Sequence, residues 1–117
     1  MIKDELEEKL VRFAKLTVDY LIEEEKYQKI TDLVDQVIDC VNSAMSNYDQ
    51  AKKVNTRNAY ILLLNCILDD LYEISFYLRD INDLRIIPDY TNLEMLNKNC
   101  LSLILDIDYF IGINMES

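Results

Sequence analysis

This sequence predicts an all-α fold, an antiparallel up-down-up-down four-helix bundle, on three observations. Apolar residues recur every three or four positions along four stretches of comparable length. The turn formers are almost absent, with one Gly (Gly112) and one Pro (Pro88). The connections between stretches are mostly short, which suits antiparallel neighbours. Tight hairpins and phosphate-cradling loops need glycine, so an all-β or dinucleotide-binding design is excluded. With 117 residues, half of them hydrophobic, the chain is expected to form one domain, 1–117, with its own core, and is too apolar for disorder.

The first stretch runs from about Lys3 to Tyr27, with Leu6, Leu10, Phe13, Thr17, Tyr20 and Leu21 on one face. The acidic run Glu23-Glu24-Glu25-Lys26 marks its solvated end. The second, from about Lys29 to Lys53, aligns Ile30, Val34, Val37, Val41, Ala44 and Tyr48, with Leu33, Ile38 and Met45 alongside. The third, from about Thr56 to Asp83, aligns Tyr60, Leu64, Ile67, Leu71, Ile74, Leu78 and Ile81. Pro88 then biases Ile87 away from helix. Thr91-Asn92-Leu93-Glu94 has the form of a capping box, with Thr91 as the cap. It opens a fourth helix carrying Leu93, Leu96, Cys100, Leu103, Ile104, Ile107 and Phe110 inward. Gly112 is placed to end that helix in a left-handed cap.

At 100° per residue the third helix carries a second apolar direction: Ile61, Leu62, Leu68, Tyr72 and Phe76. Leu101, Leu105 and Tyr109 stand off the main stripe of the fourth helix, as do Val11, Val18 and Ile22 on the first. A lone bundle needs one apolar stripe per helix. Aromatics flanked by leucines on a second face are an interface composition. The expected partner or oligomer interface is therefore Ile61, Leu62, Leu68, Tyr72, Phe76, Leu105 and Tyr109.

The formal charge is −10, split as 9 basic and 12 acidic side chains over residues 1–58 and 3 against 10 over residues 59–117. That balance opposes nucleic acid and anionic membrane. The one basic feature, Lys52, Lys53 and Arg57 at the second junction, is a candidate anion contact beside a helix N-terminus. No apolar run reaches the ~20 residues of a membrane span, and no secretory leader is recognisable, so a cytoplasmic protein is expected.

No catalytic constellation emerges. There is no His to serve Cys40, Cys66 or Cys100, which read as buried thiols, and no triad context around any Ser. Asp69, Asp70 and Glu73 on the third helix and Asp106 and Asp108 on the fourth are the densest carboxylates, but the helical wheel does not make them converge. No metal and no cofactor is expected.

Asn58-Ala59-Tyr60-Ile61-Leu62-Leu63-Leu64 through Tyr77-Leu78-Arg79-Asp80-Ile81, then a loop, then a helix ending Ile107-Asp108-Tyr109-Phe110-Ile111-Gly112-Ile113, resembles the small bacterial four-helix-bundle family. That family includes the 23S-rRNA intervening-sequence proteins and the accessory variability determinants of diversity-generating retroelements. The resemblance implies a ring-like homo-oligomer, commonly a pentamer, and a reverse transcriptase or ribonucleoprotein as partner. The family's nucleic-acid binders use a basic surface, from which this charge departs. The expected function is thus a non-enzymatic, self-associating accessory or scaffold protein that binds a protein or ribonucleoprotein. The alternative is an acidic, phage-type inhibitor that mimics nucleic acid and blocks a basic groove of a host defence enzyme.

Overall fold

The structure is a computed structural model that describes residues 3–24 and 26–116. Four helices follow one another: α1, Lys3–Glu24; α2, Thr31–Ala51; α3, Arg57–Asp83; and α4, Thr91–Glu116. A 3-10 turn, Gln28–Ile30, leads into α2. The molecule measures 47 × 20 × 19 Å, close to the ~40 Å length of its longest helices at 1.5 Å per residue.

Side-chain bonds fix the antiparallel register. Asn47 on α2 donates to Asp70 on α3 at 3.3 Å, and Cys40 to Glu73 at 3.2 Å. Ser75 on α3 donates to Asn97 on α4 at 2.7 Å, and the Cys100 thiol donates to the Leu71 carbonyl at 3.1 Å. Lys9 near the start of α1 is ion-paired to Asp106 near the end of α4. In each pair of neighbours, numbers rise along one helix as they fall along the other, which is the up-down-up-down arrangement.

The core is the set of periodic stripes. Leu6, Leu10, Phe13, Leu21, Val34, Val37, Leu64, Ile67, Leu71, Ile74, Leu93, Leu96 and Leu103 are all buried. Tyr20, Tyr60 and Phe110 are only half-buried, and Ile111 takes the inward position at the end of α4. Of the three cysteines, Cys40 and Cys100 are buried, but Cys66 is half-buried. On α1, Val11 and Ile22 are exposed, whereas Val18 packs partly against the core.

The helix ends differ from expectation in three places. First, α1 stops at Glu24, because Tyr27 takes an extended conformation (φ −87°, ψ 95°) at the entry to the 3-10 turn. Glu25, the middle of the acidic run, lies outside the described residues.

Second, Thr91 is not a cap. Its N–H and hydroxyl both donate to Asp89 Oδ1, at 3.0 and 2.7 Å, and Glu94 N–H donates to the Tyr90 carbonyl at 3.1 Å. Asp89 supplies the acceptor that the capping-box reading gave to the Glu94 side chain, and the Tyr90 carbonyl the one it gave to the Thr91 hydroxyl. The Thr91 hydroxyl, and next its N–H, hold the Asp89 carboxyl below its usual range. Third, Gly112 does not end α4. It has no positive φ, and the helix runs on to Glu116.

Thr56 caps α3. Thr56 is extended (φ −114°, ψ 149°), and its hydroxyl accepts from Ala59 N–H at 3.2 Å. In the α3–α4 loop the left-handed position falls on Arg85 (φ 56°), whose guanidinium lies 5.2 Å from the centre of the Tyr90 ring. Ile87, held out of helix by Pro88, plugs its side chain into the core.

Candidate functional site

The second apolar direction of α3 is real and uneven. Leu62 is 65% exposed, Tyr72 54% and Phe76 53%. Ile61 and Leu68 are instead half-buried, packed against the edge of the core. On α4, Leu105 is 70% and Tyr109 61% exposed, and Leu101 is exposed as well. The Leu71–Cys100 and Ser75–Asn97 bonds set the α3–α4 register. By that register Tyr72 and Leu101 lie at one level of the bundle, and Leu62 and Tyr109 at another about three turns away. Two exposed apolar stripes therefore run side by side along neighbouring helices. Scattered exposed leucines are ordinary; their recurrence at matching levels of two neighbouring helices is the informative feature.

The cationic trio at the α2–α3 junction does not act as a unit. Lys52 Nζ is 3.0 Å from Glu7 Oε1 and 3.8 Å from Asp49 Oδ1, and sits 5.5 Å from the centre of the Tyr48 ring. The Glu7 hydrogen bond holds its ammonium above the usual pKa. Lys52 thus ties the end of α2 to the start of α1. Lys53 and Arg57 are exposed; Arg57 borders a shallow cleft with Val54, Asn55, Thr56, Phe110 and Asn114. A second groove, between α1 and α4, is lined by Lys9, Arg12, Phe13, Leu16, Asn99, Ser102 and Leu103. Its lysine is occupied by Asp106 and by the Ser102 hydroxyl at 3.2 Å.

The α3 carboxylates correct the helical-wheel expectation. Asp70 and Glu73 do converge, not with Asp106 and Asp108 of α4 but with Cys40 of α2. One ligand atom from each lies within 4.8 Å of the other two. Burial, and next the hydrogen bond to Glu73, push the Cys40 thiol up to about 12. Burial also raises Asp70, while hydrogen bonds from Ser43 and Asn47 pull the other way. The sequence signal was there, since Cys40, Ser43 and Asn47 fall on one line of α2 at steps of three and four. It was missed because the carboxylates of α3 were weighed against α4 alone. Asp69 stays on the exposed side, as does Asp108, and Asp106 is taken by Lys9.

Among solved structures, the chain is similar to a protein from Bacteroides thetaiotaomicron described as of unknown function and from the S23 ribosomal protein family. The TM-score is 0.82 at 20% sequence identity, over 91% of this chain and 97% of that one. That likeness establishes the four-helix fold. No family profile matches the chain, and no curated protein matches it. Among the described residues no helix is long and apolar enough to cross a membrane.

Proposed function

We propose that this chain is a non-enzymatic accessory or scaffold protein that self-associates and holds a protein or ribonucleoprotein partner. The observation that carries the reading is the exposure of Leu62, Tyr72 and Phe76 on α3 and of Leu101, Leu105 and Tyr109 on the neighbouring α4. Leaving these side chains in water forfeits about 25 cal/mol for each Å² of apolar surface that a neighbour would cover. Aromatic and leucine side chains gathered on one face, with polar residues around them, are the composition of an interface.

A homo-oligomer is the first occupant of that surface, in keeping with the resemblance to the ring-forming four-helix-bundle family. A reverse transcriptase is the partner that the same resemblance implies. Nucleic acid is disfavoured as a direct ligand, because the formal charge is −10 and Lys52, one of the three junction cations, is committed to Glu7. A cytoplasmic setting fits the free cysteines.

The experiment is light scattering on the purified chain and on the double variant Tyr72→Glu, Phe76→Glu, with circular dichroism alongside. The expected outcome is an assembly that falls to monomer in the variant at unchanged helicity. A wild-type chain that stays monomeric at high concentration, or a variant of unchanged mass, would refute the placement.

A second reading, an acidic mimic that occupies a basic groove, is favoured by one feature: residues 59–117 hold 10 acidic against 3 basic side chains. It predicts a monomer whose binding to its target weakens steeply with salt.

A further inference from the structure

The groove between α1 and α4 carries its charges in order. Arg12 borders it before Leu16, and past Leu16 it continues to Asp19 and Glu23. On the α4 wall, Met95 lies with Leu16, and both are exposed. At 1.5 Å per residue, Arg12 stands about 6 Å before Leu16, Asp19 about 4.5 Å after it and Glu23 about 10.5 Å after it. The side chains that α4 contributes to the groove are all uncharged. Lys9 is already paired with Asp106. Arg12, Asp19 and Glu23 have no ion pair among the described residues. Glu23 also lies in the last turn of α1, which holds no basic residue, so it meets the negative end of the helix dipole uncompensated.

That order complements itself in one orientation. When a second copy is turned end for end about a two-fold axis through Leu16, Leu16 meets its own counterpart. Arg12 of each copy then falls between Asp19 and Glu23 of the other, and Met95 widens the apolar centre. A parallel copy would set Arg12 against Arg12 and Glu23 against Glu23, and like charges brought together oppose association.

We propose that the α1–α4 face is a second self-association surface, where two copies meet antiparallel about Leu16 with Arg12 of each against Asp19 and Glu23 of the other. The contact is isologous, the same patch on both copies. It goes beyond the assembly through α3 and uses none of its residues. With so few apolar side chains on each copy it is small and transient by itself. A chain stripped of the α3 aromatics therefore remains a monomer by light scattering, whereas several such contacts act together between assembled copies.

Disulfide trapping reads a transient contact, because the bond needs Cα atoms within about 7 Å. Leu16→Cys is made in the full chain together with Cys66→Ser, with and without Tyr72→Glu and Phe76→Glu. Oxidised glutathione is the oxidant and takes up the two thiol hydrogens. The expected product is a covalent dimer in both backgrounds. Ile22→Cys, at a position exposed but outside the groove, should give none, since the same axis holds its two copies about 18 Å apart along the helix. Arg12→Glu should slow trapping roughly tenfold. Adding Asp19→Arg and Glu23→Arg to that chain should restore it, at unchanged helicity. No dimer from Leu16→Cys, equal trapping from Ile22→Cys, or a rate indifferent to Arg12→Glu would each overturn the proposal. Trapping is read in the chain without the α3 aromatics, so such a failure leaves the α3 assembly standing, and a failure of that assembly leaves this contact intact.

Discussion

Leu71 and Tyr72 are neighbours in the chain with opposite surroundings: Leu71 has no exposed surface, while Tyr72 is more than half exposed. The same division holds along the whole of α3. Leu64, Ile67, Leu71, Ile74 and Leu78 face the other helices; Leu62, Tyr72 and Phe76 face outward. Side-chain chemistry does not separate the two sets, since both consist of large apolar residues. What separates them is the 100° step of the helix. It turns the first set toward the bundle axis and the second away from it. The inner face therefore holds the bundle together, and the outer face is left exposed.

The largest expected effect tests the inner face. Leu71→Ala should cost about 2–5 kcal/mol of stability, read from urea unfolding, because the surrounding helices cannot collapse fully into the space. The paired substitutions Tyr72→Glu and Phe76→Glu sharpen the contrast. They should cost the isolated chain about 1 kcal/mol or less, mainly through repulsion with Asp69 and Glu73 one turn away, yet dissociate the proposed assembly. If the outer pair destabilised the monomer as much as Leu71→Ala does, the distinction between the faces would be lost.

A smaller effect is expected at Thr17. Its side chain is wholly buried, and its hydroxyl has no hydrogen-bond partner among the described residues. Valine keeps the shape and removes the unsatisfied group, so Thr17→Val should raise stability by about 1 kcal/mol, seen as a higher urea midpoint at unchanged slope. Smallest is Gly112, which lies inside α4 with open space around it. A methyl group there meets nothing, and the backbone needs no left-handed angle. Gly112→Ala should therefore add about 0.5–1 kcal/mol, measured as a rise in Tm. A loss instead would mean that the backbone at Gly112 is approached closely in an assembled state.

The sequence by itself determined the helices and their inward faces. Periodicity is a local property: a residue at i, i+4 and i+7 shares a face whatever the helix later packs against, and only that face can escape water. Leu6 through Ile107 could be assigned inward on this ground, and so could the outward Leu62, Tyr72 and Phe76. Helix ends were less legible, because caps depend on competing short-range acceptors. Asp89 takes the Thr91 N–H that the Glu94 side chain was expected to accept, and Gly112 is used as a helical residue. The tertiary structure alone decided which helix each face meets, since the wheel gives a direction but not the neighbour in that direction. Half-burial of Ile61 and Leu68, engagement of Lys52 by Glu7, and the meeting of Cys40 with Asp70 and Glu73 all follow from the order in which the helices pack, a property of the whole chain that no window of local sequence contains.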